Sequence, residues 1–152
     1  MGMNKIIFSY LVGFTFLIAS CGNEKVNNAN PKDLGELEKI AADSANYTQL
    51  QWIDSVYNFG TIEEGATVQV QFKFKNIGNK ALYLTEVKAG CGCTTPSYSQ
   101  GAIEPGKEGW VNGEFNSNGQ MGDVKKFIMV RANTINNTDH RLMFEGTVNK
   151  KP

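Results

Sequence analysis

Reactive side chains are scarce in this chain: its 152 residues include one histidine, three cysteines and four prolines. The single imidazole, His140, lies between Asp139 and Arg141 at a strand start, and no Gly-x-Ser-x-Gly nucleophile elbow occurs anywhere, which argues against a serine-hydrolase triad. Cys91, Cys93 and His140, the residues left if Cys21 takes a lipid, are one short of a four-ligand zinc site, which would have to recruit carboxylates or a second chain. Charge of either sign is not in excess, with 15 Lys and Arg against 15 Asp and Glu, so no basic stripe calls for nucleic acid and no acidic tail for a cationic partner. No glycine loop joins a strand to a helix, so Gly60, Gly65, Gly78 and Gly106 read as strand-end turns and not as a phosphate cradle. No Cys-x-x-Cys opens a helix, which disfavours a thioredoxin-type oxidoreductase. The longest apolar run, Ile6 to Ala19, has 14 residues, and a transmembrane helix needs about 20.

That short run has a different meaning. Lys5 precedes it, and it ends in Ile18-Ala19-Ser20-Cys21. A charged start, a short apolar stretch and small residues before a cysteine make the layout of a bacterial lipoprotein signal peptide. Residues 1–20 are therefore expected to be a leader, with Cys21 the thiol that takes a diacylglycerol. Gly22 after that cysteine points to the outer membrane of a cell envelope in preference to the inner one.

From Gly22 to Pro31 the composition is polar, with Val26 the one large apolar side chain, so residues 21–46 are expected to form a flexible tether. Asp33 as an N-cap followed by Leu34, Leu37, Ile40 and Ala41 adds a weak helical period, enough for a fraying turn or two. From Leu50 onward the period is two. Val68, Val70, Phe72 and Phe74 alternate with Gln69, Gln71, Lys73 and Lys75. Leu82 and Leu84 share one face, with Tyr83 and Val87 on the other; Val111, Gly113 and Phe115 alternate with Trp110, Asn112 and Glu114. Further strands carry Val124, Ile128 and Val130, then Leu142, Phe144 and Val148, and turn residues separate all of these runs. Residues 47–152 thus read as an all-β domain, a single immunoglobulin-like antiparallel β-sandwich of about seven strands. Cys91 and Cys93 are too close in sequence to bridge two sheets across a core.

Four segments in order resemble a known family: Tyr57-Asn58-Phe59-Gly60-Thr61-Ile62-Glu63-Glu64-Gly65, Phe72-Lys73-Phe74-Lys75-Asn76-Ile77-Gly78, Cys91-Gly92-Cys93-Thr94 and Ile103-Glu104-Pro105-Gly106. They are similar to the domain-of-unknown-function family 1573, common in envelope lipoproteins of certain Gram-negative bacteria. The resemblance runs from about Tyr57 to Val148 and implies an immunoglobulin-like sandwich related to major sperm protein. It implies no activity.

Cys91-Gly92-Cys93 is the one constellation in the domain with reactive chemistry, and three readings of it stay open. The pair can close a small, strained, easily reduced disulfide over one glycine, suited to thiol exchange. Two thiolates at this spacing can also hold a soft metal such as Cu(I), or part of a zinc site. Or the two are small structural residues at a strand edge. Among weaker candidates, Asp43-Ser44-Ala45 and Asp54-Ser55-Val56 resemble Asp-Ser/Thr-apolar sites O-glycosylated in some bacterial envelopes, nominating Ser44 and Ser55. Trp52, Tyr57, Phe59, Tyr83, Tyr98 and Trp110 could line a carbohydrate platform, though core packing and cross-strand pairing are the preferred use. The reading that results is a lipid-anchored envelope module. It acts by binding or by structural assembly, without catalysis or cofactor. It is held to the membrane by its lipid, has an envelope protein partner and no nucleic acid, and presents loops and edge strands to that partner. The alternative is a thiol-redox or soft-metal protein using Cys91 and Cys93.

Overall fold

The computed structural model describes residues 34–151; the expected leader and Cys21 lie outside them. Eight strands follow one helix. They are β1 (Leu50–Trp52), β2 (Val56–Glu63), β3 (Thr67–Asn76), β4 (Leu84–Ala89), β5 (Thr94–Tyr98), β6 (Glu108–Asn116), β7 (Gly122–Ala132) and β8 (Asp139–Asn149). One sheet has the order β1-β3-β6-β5 and the other β2-β8-β7-β4. Every pairing is antiparallel except β2 with β8, which run parallel. The exception follows from the crossing of the chain between β1 and β2, which changes sheets at the edge of the sandwich instead of turning back as a hairpin.

Period-two patterning builds the core as expected. Phe72, Phe74, Val111 and Phe115 from the first sheet meet Ile128, Val130, Leu142 and Phe144 from the second, all fully buried. Aromatic rings fill the centre: Phe115 lies 5.7 Å from Phe59 and 5.6 Å from Phe144, centroid to centroid. On β6 the inward positions alternate small and large. A side chain on Gly109 would collide with the Phe74 ring, and one on Gly113 with Ile128. These glycines are where the opposite side chains enter.

Val87 departs from the expected alternation. It packs against the core, on the same side as Leu84. A bulge between Leu84 and Glu86 places two residues of β4 opposite one step of β7, and the extra residue flips the phase of everything after it. Within the segment expected as a tether, Leu34–Ala42 forms α1 and Ser44–Asn46 a 3-10 turn. A nine-residue helix is marginal alone; here Ala41 is buried, and Asn46 Nδ2 donates to Ile40 O across the break.

The sheet edges, which with the loops are expected to be presented to a partner, are all blunted. Strand β1 has three residues, β2 and β4 are bulged, and β5 carries Pro96, which has no N–H to offer. Short, bulged and proline-bearing edges resist strand addition.

Candidate functional site

The chain leaves the β4 edge of one sheet and joins the β5 edge of the other through Gly90-Cys91-Gly92-Cys93. Both ends of this crossover are tied to a ladder: Gly90 N donates to Phe127 O at 3.0 Å, and Asn116 N donates to Cys93 O at 2.9 Å. A Cβ on Gly90 would come within 2.6 Å of the Phe127 ring, so only glycine lets the chain cross here. Arg141 lies over the outer side of the same ring, its guanidinium 4.1 Å from the centroid.

Cys91 and Cys93 are disulfide-bonded across Gly92, with their Cα atoms 5.3 Å apart. Both are half-exposed, while Thr94 beside them is buried. The Thr94 hydroxyl reaches both sulfurs, 3.7 Å from Cys91 Sγ and 3.9 Å from Cys93 Sγ. A bond closing so small a ring removes little entropy from the unfolded chain, about 1.5 kcal/mol in the loop-closure estimate, against nearly 5 kcal/mol for a 100-residue loop. It is a weak staple, although Cys93 packs against the core. Among the described residues no group of three or more Cys, His, Asp or Glu gathers as a metal site, so the soft-metal reading rests on the two sulfurs in reduced form alone.

The exposure of the bond sets an expectation. The native protein should gain the mass of two hydrogen atoms on mild reduction and then alkylate at Cys91 and Cys93 while its thermal unfolding still shows one cooperative transition. Alkylation that requires denaturant would mean the sulfurs are shielded.

The other three family-like segments converge on the ends of the same sandwich. In Tyr57-Asn58-Phe59-Gly60, a bulge opposite β8 turns Phe59 inward over Gly146. Gly60 takes φ +72°, and the Asn58 side chain accepts from Gly60 N at 2.7 Å. Asn76 ends β3 in an inward position, fully buried. Its Nδ2 donates to Lys80 O at 2.7 Å and Ile103 O at 2.8 Å, and its Oδ1 accepts from Thr48 Oγ1 and Gly78 N, each at 3.1 Å. Glu104-Pro105-Gly106 returns to the same residue, Gly106 N donating to Asn76 O at 2.8 Å. Three of the four segments are therefore architecture, and the fourth is the disulfide crossover.

The family described as "Protein of unknown function (DUF1573)" matches residues 50–148. The chain belongs to the DUF1573 family. No curated protein matches it. Among solved structures it is similar to a protein of unknown function from Porphyromonas gingivalis W83, at 15% identity and a TM-score of 0.61. That match covers 69% of this chain and 49% of the other, so the chain spans about half the length of that protein. It is also similar to the ASH/PapD-like domain 7 of human CEP192, at 16% identity and a TM-score of 0.56, covering 70% of this chain and 89% of that domain. The secreted serine protease VesC of Vibrio cholerae matches at 12% identity and a TM-score of 0.52, over 66% of this chain and 23% of the protease. At these identities the likeness shows a shared immunoglobulin-like, PapD-like fold.

Within this DUF1573 domain the remaining candidates are dispersed. Ser44 opens the 3-10 turn that Asp43 caps by accepting from Ala45 N, and Ser55 lies in the β1–β2 crossing; both are exposed. Of the six aromatics, Trp52, Phe59 and Tyr98 pack against the core, Tyr83 is half-buried, and Tyr57 and Trp110 are each 37% exposed. His140 is half-buried beside Trp52, ring centroids 6.0 Å apart, with Nε2 2.8 Å from Thr134 Oγ1. That hydroxyl donates to Asn137 O at 2.6 Å, so it accepts from His140, and Nε2 carries the proton of the neutral ring.

Burial pushes the His140 pKa down, and the Asp139 carboxylate only partly opposes it. The unfolded chain therefore takes up this proton more readily than the fold does. The His140 contribution is fully present above about pH 6.5, the ordinary imidazole value, and is lost as pH falls through the lowered folded value. His140→Gln should flatten the decline of stability on the acidic side of pH 6.5, read as denaturant midpoints across a pH series. Identical slopes for both proteins would contradict it.

The buried asparagines were not singled out from the sequence. Asn133 matches Asn76 in role: its side chain accepts from Tyr83 N at 2.7 Å and donates to Asn46 O at 2.8 Å and Ala81 O at 3.0 Å. A signal existed for Asn76, which is a polar residue in phase with Val70, Phe72 and Phe74. A polar side chain at a position that the period assigns to the core marks a buried hydrogen-bond hub.

Proposed function

We propose that the protein is a lipid-anchored module of the cell envelope that works by binding. The observation that carries this reading is the order of parts along the chain: Lys5, an apolar run, Ile18-Ala19-Ser20-Cys21, a polar stretch, and then one immunoglobulin-like domain. A lipid on Cys21 would hold that domain close to a membrane, with the outer membrane favoured by Gly22, and a protein of the same envelope is its expected partner. Intact mass spectrometry of the protein extracted from its native envelope tests the anchor. A mature chain beginning at Cys21 and carrying acyl mass supports it, and a mature chain starting elsewhere without acyl mass overturns it. Crosslinking in the envelope followed by pull-down tests the binding role; a chain that crosslinks to nothing but itself would speak against it.

A second reading is favoured by the exposed Cys91–Cys93 bond, which contributes little to stability and has a buried hydroxyl beside both sulfurs. In thiol exchange, an external thiolate attacks one sulfur and forms a mixed disulfide, and the other sulfur leaves as a thiolate that accepts the Thr94 O–H. Cys91→Ser and Cys93→Ser proteins should then trap mixed disulfides with envelope partners: the remaining thiolate attacks a partner's disulfide, one partner sulfur leaves as a thiolate, and no second cysteine is present to close the ring and release the partner. Singly substituted proteins that stay free of mixed disulfides would leave the binding module alone.

A further inference from the structure

We propose that the outer face of the β1-β3-β6-β5 sheet is a platform for an uncharged oligosaccharide, centred on Trp110; this rests on the binding reading above and adds a ligand beside the protein partner. Strand parity puts Trp110 in water: Gly109 and Val111 on either side of it point into the core, and the indole stays 37% exposed. Its backbone is held on both sides. Lys73 is its partner on β3, while Trp110 N donates to Ser99 Oγ and Ser99 N donates to Trp110 O, each at 3.0 Å. Ile53, whose N–H bonds Lys73 O, extends the same row and is 53% exposed. An exposed indole on a central strand of a sheet presents an apolar surface, which suits the C–H face of a pyranose.

Two residues along β6, about 6.8 Å away at strand spacing, a second row supplies the polar complement. Gln71 Nε2 donates to Asn112 Oδ1 at 3.0 Å, and Ser97 is the partner of Asn112 on β5. That bond leaves the Gln71 carbonyl as a free acceptor and the Asn112 amide as a free donor, side by side, the pairing that neighbouring sugar hydroxyls satisfy. Charges on the face cancel, Lys73 and Lys75 against Glu108 and Glu114, with Lys75 directly opposite Glu108. A face with no net field gives no advantage to a polyanion or a charged peptide and no penalty to a neutral polyol. One indole and one isoleucine are also too little apolar area for the core of a stable protein–protein interface.

Full-length lipidated protein, held in micelles of a detergent with no sugar headgroup, is titrated calorimetrically with cellohexaose, xylohexaose, mannohexaose and chitohexaose. At least one should bind saturably and perturb tryptophan emission. Trp110→Ala should weaken that binding about tenfold or more and Trp110→Phe less, because a phenyl ring keeps part of the stacking surface. Gln71→Ala and Asn112→Ala should each weaken it several-fold. Trp52→Phe, which alters a core-packed indole, should leave it unchanged. No binding of any of the four sugars by the wild type would overturn the proposal. So would a Trp110→Ala protein of native circular dichroism that binds as tightly as wild type, or binding confined to oligogalacturonate and abolished by salt. Envelope partners retained in the crosslinked pull-down with no sugar bound would overturn this inference alone and leave the binding module standing.

Discussion

Cys21→Ser protein is expected to carry no acyl mass and to leave the membrane fraction, appearing as an unprocessed precursor or as soluble protein. The effect should be close to complete. One acyl chain gives only marginal, reversible membrane attachment, whereas the two or three chains of a mature lipoprotein make it persistent, so removing the thiol that receives them removes the attachment. Among the described residues no helix is long and apolar enough to cross a membrane. Fractionation and intact mass measure the outcome. Cys21→Ser protein that still sediments with membranes and carries acyl mass would sink the anchor reading without touching the fold.

Phe72→Ala should cost about 3–5 kcal/mol, a large share of the 5–15 kcal/mol that holds a domain of this size together. Phe72 is fully buried at the centre of β3, opposite Val111 on β6. Truncation would open a cavity in a close-packed core that can collapse only in part to fill it. Gln71→Ala, one residue away, should cost under about 0.5 kcal/mol, because that side chain faces water and loses one exposed amide contact. Chemical denaturation of the two variants side by side measures the contrast. Similar losses would mean that the two faces of β3 are assigned wrongly.

This contrast is also where the sequence was most informative. Alternation over Val68–Phe74 decides which face of β3 is buried before any partner strand is known, since the side-chain period is a property of the extended backbone itself. The same logic holds on β6, where Val111 and Phe115 point inward, and on β8 with Leu142 and Phe144. It failed at Val87. A bulge depends on how β4 meets β7, and no local pattern in Leu84–Ala89 announces it.

Cys91-Gly92-Cys93-Thr94 stood out in the sequence as reactive, but not as placed. That its cysteines are bonded, that it bridges the two sheets where Gly90 passes Phe127, and that Thr94 lies buried under both sulfurs come from packing between β4, β5 and β7. The geometry of the sheet edges comes from packing for the same reason. Pro96 is visible in the sequence, but the bulges at Asn58/Gly60 and Leu84/Glu86 are not, and neither is the assignment of β1, β2, β4 and β5 as the outermost strands. The six aromatics likewise looked alike by composition. Alternation on β6 already set Trp110 opposite Val111 and Phe115, while packing between the sheets sent Trp52, Phe59 and Tyr98 to the core and strand order put Trp110 between Lys73 and Ser99.

By itself, then, the sequence determined the family, the all-β class, most of the buried faces and the expected membrane address, all of which are written in short-range patterns a few residues long. The tertiary structure alone decided the strand order, the parallel pairing of β2 with β8, the hydrogen-bond partners of Asn76 and Asn133, and which aromatics pack against the core. Those depend on contacts between residues far apart in the chain, such as Asn133 with Asn46 or Phe59 with Gly146, and local periodicity carries no information about which distant segment a given face will meet.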